Sequence, residues 1–74
     1  MIPKETILKT IEYLEERRHD VYCVIGEISC GLVLIHRSQH IKDYAMKMME
    51  NKEKELDELI EFYNEMLKNK LKED

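Results

Sequence analysis

Four side chains that could bind a metal ion follow one another in the first half of the sequence. Spaced by four, four and three residues, they are His19, Cys23, Glu27 and Cys30. A helix turns by about 100° per residue, so this spacing places all four on one face. Imidazole, thiolate and carboxylate groups are the usual ligands of zinc. Because consecutive ligands on one straight helix do not wrap around an ion, a second chain would have to complete the site.

The same four residues also fit a purely structural interpretation. Cysteine is often a small packing residue, and His19 and Glu27 would then be polar groups at the edge of a helix face. A metal or thiol-redox protein is therefore one alternative function. No cofactor follows from the sequence, which has no phosphate-binding glycine loop and no recognisable catalytic nucleophile. These features favour a non-catalytic protein.

Two sets of charged residues could contact a macromolecular partner. A small basic spot near the middle of the chain contains Arg37, His40, Lys42 and Lys47. It could bind nucleic acid, a second alternative that the net charge of −4 opposes. An acidic column at steps of four contains Glu53, Asp57, Glu61 and Glu65. It could bind a basic protein surface, or it could be a solvated helix face.

The elements that must position these groups are indicated by a heptad pattern. Mostly apolar residues alternate by steps of four and three at Ile7, Ile11, Leu14, Arg18, Val21, Ile25, Ile28, Leu32 and Ile35. A strand does not produce this repeat. Proline is tolerated in the first turn of a helix, so Pro3 can begin this one. The pattern predicts a first helix over about residues 3–36.

A second amphipathic helix is predicted over about residues 39–71. Its seam is expected to contain Leu56, Leu59, Tyr63 and Leu67. Apolar residues are missing from 36–40, which predicts the connection, and Ser38 is a suitable N-cap. The predicted architecture is all-α, a long helical hairpin.

Residues 21–35 leave other architectures open. They are rich in β-branched side chains and contain Gly26 and Gly31, so they could instead form two strands joined by a tight turn. The protein would then have an α-β-β-α order. A third alternative is a break at His19 and Asp20, with Asp20 as the N-cap of a separate helix.

The size of the chain bears on assembly. Its 74 residues form at most one domain, 1–74, with 43% hydrophobic and 38% charged residues. A hairpin alone has no enclosed core. If residues 21–35 form a helix, that helix is apolar on nearly all sides and needs to be covered on several of them. We therefore expect a homodimer that forms a four-helix bundle and works by protein–protein interaction.

The absence of a signal-peptide pattern or a long apolar run predicts a cytoplasmic protein without membrane association.

Overall fold

A computed structural model describes residues 2–73 of the chain, so residues 1 and 74 of the expected domain lie outside it. Helix α1 spans Lys4–Ser29 and helix α2 spans Gln39–Glu73. The helices pack against each other along their lengths and are joined by residues 30–38. No strand occurs within residues 2–73. The prediction of an all-helical hairpin is confirmed, and the α-β-β-α alternative is wrong.

Helix α1 ends seven residues earlier than predicted, because Gly31 terminates the helix and is not an interior residue. Its φ is +75°, in the left-handed region that glycine adopts most readily. The Gly31 N–H donates to the Ile28 carbonyl, and the Leu32 N–H donates to the Glu27 carbonyl. These two bonds form a Schellman motif, which satisfies carbonyls that a helix end otherwise leaves free. Helix α1 also continues through His19 and Asp20, so the predicted alternative of a break there is wrong.

Helix α2 begins where the sequence predicts, at a serine cap. The Ser38 side-chain oxygen accepts a hydrogen bond from the Ile41 N–H at 3.4 Å, and the Ser38 carbonyl accepts from Ile41 and Lys42 at 3.1 Å. These contacts satisfy N–H groups of the first turn. Gln39 adds a side-chain bond of 2.8 Å from Nε2 to Oδ1 of Asp43, one turn further along. Together they fix the start of α2.

The core between the helices is narrow and aliphatic. Its buried residues are Ile7, Ile11, Leu14, Ile28, Leu56 and Ile60. Leu14 packs with Leu56 and Ile60 at the centre of the hairpin, and Val21 and Tyr63 cover this cluster.

Three residues of the expected seam are exposed. Leu32 and Ile35 follow the end of α1 and are 73% and 57% exposed, since Gly31 turns the chain away before them. Leu59 is 45% exposed, whereas its neighbour Ile60, which the expected seam did not contain, is buried. The reason is that apolar residues of α2 form two adjacent stripes, and the predicted seam combined members of both.

The hairpin is elongated, with extents of 55 × 16 × 15 Å. Its length follows from α2, whose 35 residues span about 52 Å at 1.5 Å per residue. Neither helix described here combines the length and apolar character needed to cross a bilayer.

Candidate functional site

A second apolar stripe follows α2 beside the stripe that packs on α1. Its positions alternate by four and three over 26 residues, and they are Ile41, Ala45, Met48, Lys52, Glu55, Leu59, Phe62 and Met66. At about 100° per residue, this stripe lies roughly a quarter turn around α2 from the core-facing residues. Met48 and Phe62 are 50% and 59% exposed, and Ile41 is exposed as well. We refer to these eight residues as the second stripe.

The same side of the hairpin includes part of α1. A groove between the helices is lined by Tyr13, Leu14, Arg17, Asp20, Val21, Met49, Lys52 and Leu56. It therefore brings Arg17 and Asp20 of α1 to the level of Lys52 of α2. Arg17 Nη1 lies 3.8 Å from Asp20 Oδ2, and the Arg17 guanidinium lies 5.3 Å from the centre of the Tyr13 ring. Opposite charges thus sit at the middle of a largely apolar face.

The opposite side of the hairpin is polar. Arg18 Nη1 donates a hydrogen bond of 2.9 Å to Oδ1 of Asp57, and this bond raises the pKa of the Arg18 guanidinium. His19 and Tyr22 line the groove beside this ion pair. A neighbouring depression on the outer side of α1 is lined by Glu12, Glu15, Glu16, His19 and Asp20. The outer side of α1 consequently presents mainly negative charge to solvent.

The predicted metal ligands come together only in part. Cys23 Sγ lies 3.6 Å from His19 Nε2, and both residues are exposed on α1. Cys30 is the C-cap residue of α1, and both cysteines are free thiols. Among the side chains that the structure describes, those of residues 2–72, no group of three or more metal-binding residues is close enough to hold one ion. The single chain therefore offers a pair of ligands, His19 and Cys23.

The charged residues expected to form a partner surface are distributed over several faces. Arg37 and His40 are exposed at the connecting end of the hairpin, and Lys47 is exposed on α2. Lys42 is half-buried beside the end of α1, where it lines a groove with Cys30. The basic spot therefore does not form one continuous exposed patch.

The acidic column of α2 is also divided. Glu53 is half-buried near the core, and Asp57 is engaged by Arg18. Only Glu61 and Glu65 remain as exposed members without such a contact to α1 among those described. The negative charge available to a partner therefore comes from these two residues together with the acidic side of α1.

Sequence reasoning did not identify the second stripe as a separate surface. The signal that could have revealed it is a second repeat of four and three, displaced by one position from the core-facing residues.

Comparison with protein-family models, curated proteins and solved structures gives no match for this chain. Residues 2–72 bury no polar or charged side chain, so the exposed apolar face is the most unusual feature of the described surface.

Proposed function

We propose that this protein is a non-catalytic homodimer, a four-helix bundle that acts by binding another protein through its outer surface. The supporting observation is the excess of exposed area. The single chain exposes 5990 Å², whereas a compact monomer of 9.0 kDa exposes about 4,900 Å². The excess of about 1,100 Å² is of the size that one partner contributes to a stable interface, roughly 800 Å².

The dimensions of the hairpin support the same proposal. Its radius of gyration is 16.5 Å, whereas a compact domain of 74 residues has a radius of about 11 Å. Laying a second hairpin alongside the first widens the particle without lengthening it. A side-by-side dimer therefore restores a ratio of length to width that is typical of helical bundles.

The apolar residues support dimerisation energetically. Six hydrophobic residues are buried, whereas twelve large hydrophobic residues are exposed among those described. A core of this size supplies only about 3–5 kcal/mol in a chain below 80 residues. Each large side chain that a second copy fully covers adds about 1.5–3 kcal/mol. Association thus converts a marginal hairpin into a stable bundle.

The surface left outside the bundle indicates the class of further partner. Glu12, Glu15 and Glu16 lie on the exposed outer side of α1, and Glu61 and Glu65 are exposed on α2. A negative surface favours and steers association with a positively charged protein surface. In this proposal the homodimer is a regulatory or adaptor module with a basic protein partner.

Sedimentation equilibrium across the micromolar range tests the dimer, and salt-dependent binding to a basic protein tests the outer surface. The proposal predicts twice the chain mass of 9.0 kDa and a melting temperature that rises with protein concentration. A chain that sediments as a monomer with a concentration-independent melting temperature contradicts it. The matched surface variant combines Glu61→Lys with Glu65→Lys. It should preserve the dimer and weaken only the binding of the basic protein.

A second candidate, metal binding, is supported by the His19–Cys23 pair. Tetrahedral zinc with bonds of about 2.3 Å to sulfur and 2.0–2.1 Å to nitrogen separates those atoms by about 3.6 Å, and the distance here is 3.6 Å. Competition against a chromophoric zinc chelator tests this candidate, with Cys23→Ser as the matched variant. Tight binding that Cys23→Ser abolishes supports a metal function. Equal, weak binding by both proteins contradicts it.

A further inference from the structure

We infer that the second copy docks antiparallel on the second stripe, with a two-fold axis that crosses α2 between residues 53 and 54. This inference rests on the proposed homodimer and specifies its interface. It also assigns a role to the charged residues that interrupt the stripe. Lys52 and Glu55 become the central layer of the interface, where each side chain of one copy meets the opposite charge of the other.

The sequence of the second stripe is complementary to its own reverse. When a helix pairs with an antiparallel copy, residues equidistant from the two-fold axis face each other. Around the point between residues 53 and 54, Ile41 faces Met66, Met48 faces Leu59, and Lys52 faces Glu55 of the second copy. Ala45 faces Phe62, so a small residue meets a large one. This is the packing of opposite core positions in an antiparallel coiled coil.

Helix α1 is compatible with the same axis. On the side that carries the second stripe, Arg17 and Asp20 lie symmetrically about a point between residues 18 and 19, as do Tyr13 and Val24. The groove that Arg17 and Asp20 share with Lys52 places these charges at the same height along the hairpin. One two-fold axis therefore places Lys52 opposite Glu55 of the second copy on α2. The same axis places Arg17 opposite Asp20 of the second copy on α1.

The charges disfavour a parallel arrangement of α2 against its own copy. In parallel register, Lys52 would face Lys52 and Glu55 would face Glu55 of the second copy, which is unfavourable at a partly desolvated interface. Ala45 would also face Ala45 and leave a gap. In the antiparallel arrangement every central charge has an opposite partner. The quarter turn between the two stripes of α2 is also the angle between the two neighbours of a helix in a four-helix bundle.

Mixing two charge variants tests the register. In the Lys52→Glu homodimer, the new glutamate of each copy faces Glu55 of the other, which gives two pairs of facing glutamates. In the Glu55→Lys homodimer, the new lysine of each copy faces Lys52 of the other, which gives two pairs of facing lysines. We expect each variant alone to dimerise about tenfold or more weakly than the original chain. An equimolar mixture should recover the dimer, because the glutamate introduced in the first variant then faces the lysine introduced in the second. Analytical ultracentrifugation measures the mass of each sample and of the mixture.

The matched control exchanges the same charges on the solvent side of α2. Lys54 and Glu58 are both exposed and lie outside the second stripe. Lys54→Glu and Glu58→Lys have the same net charges as the test variants, so they control for general attraction between oppositely charged chains. We expect both to dimerise like the original chain, alone and mixed. Equal behaviour of the test and control pairs would overturn the inferred register.

Disulfide formation provides a second, geometric measurement. In a chain with Cys23→Ser and Cys30→Ser, the variants Met48→Cys and Leu59→Cys should cross-link with each other under mild oxidation. Two Met48→Cys chains should not cross-link with each other. In the antiparallel dimer, residue 48 of one copy is displaced from residue 48 of the other by eleven residues, about 16 Å along the helix, which is beyond the reach of a disulfide. A dimeric protein whose Met48→Cys chains link only to themselves overturns the antiparallel register and leaves the homodimer intact. A monomeric original chain overturns both proposals.

Discussion

Arg18 donates a hydrogen bond of 2.9 Å from Nη1 to Oδ1 of Asp57, and this ion pair joins α1 to α2 across 39 positions of sequence. It lies one turn beyond Leu14, which packs on Leu56 in the core. The polar contact and the apolar contact therefore specify the same alignment of the helices. That alignment places the central charges of both helices at one height, which the inferred dimer requires. The ion pair itself lies on the opposite, polar side.

The Arg18–Asp57 pair should contribute little to stability. The two side chains are 34% and 49% exposed, so solvent screens the attraction, and we expect a coupling free energy of about 0.5 kcal/mol. A double-mutant cycle with Arg18→Ala and Asp57→Ala, measured by urea unfolding, tests this value. A coupling that survives unchanged in molar salt would contradict the assignment to an exposed ion pair.

The pH dependence of this pair follows from the raised pKa of Arg18. The hydrogen bond to Asp57 is the largest cause of that shift. A group whose pKa is raised by folding stabilises the fold below its unfolded-state pKa and loses this effect as pH rises through the folded-state pKa. For a guanidinium that window lies far into the alkaline range. Comparison of Arg18→Ala with the original chain between neutral and mildly alkaline pH should therefore show a constant difference in unfolding free energy.

The two glycines should respond to alanine in opposite directions. Gly26 lies within α1 with open space where a Cβ would be placed, and Gly31 has a φ of +75°. We expect Gly26→Ala to stabilise the fold by about 0.5–1 kcal/mol through helix propensity. Gly31→Ala should destabilise it by about 1 kcal/mol, because alanine is strained in the left-handed region. Thermal unfolding at one fixed protein concentration tests the pair, and stabilisation by Gly31→Ala would refute the assignment of Gly31 as the helix terminator.

A core truncation should cost far more than truncation of a large exposed residue on the same helix. Leu14 is buried and packs on α2, so we expect Leu14→Ala to cost about 2–5 kcal/mol. Tyr22 is 58% exposed on the polar side, and Tyr22→Ala should change stability by about 0.5 kcal/mol or less. Chemical unfolding at equal protein concentration compares the two. Similar losses for both variants would contradict the described packing of the hairpin.

The serine cap of α2 should be detectable through its side chain. The hydrogen bond from the Ile41 N–H to Ser38 Oγ is long at 3.4 Å, so we expect Ser38→Ala to cost about 0.5–1 kcal/mol. Ser38→Asp preserves an acceptor and places negative charge at the helix N-terminus, so it should retain the original stability or raise it slightly. If both variants lose stability equally, the cap does not act through its side-chain oxygen.

Periodicity and end signals were sufficient to predict most of the hairpin. Ser38 marked the start of α2 because its side chain satisfies local backbone groups, a short-range effect that sequence encodes directly. The end of α1 differs from the prediction because the heptad pattern continues past Gly31, whereas the left-handed conformation of Gly31 ends the helix. Local pattern alone does not separate an interior glycine from one that terminates a helix.

The candidate surface was harder to predict than the fold. Leu59 and Ile60 are adjacent and equally apolar, and only the rotation of α2 against α1 determines that Ile60 is buried and Leu59 exposed. That rotation depends on the packing of the whole helix pair. His19 and Cys23 lie close together because a spacing of four residues places them on one helix face, which is a local effect that the sequence encodes directly.

Small-angle X-ray scattering on the original chain tests the central claim most directly, because it reports mass and length together. The side-by-side antiparallel dimer predicts twice the chain mass of 9.0 kDa in a particle whose length stays close to the 55 Å of one hairpin. A particle of single mass and that same length would contradict the homodimer. A particle of doubled mass and nearly doubled length would contradict docking through the second stripe.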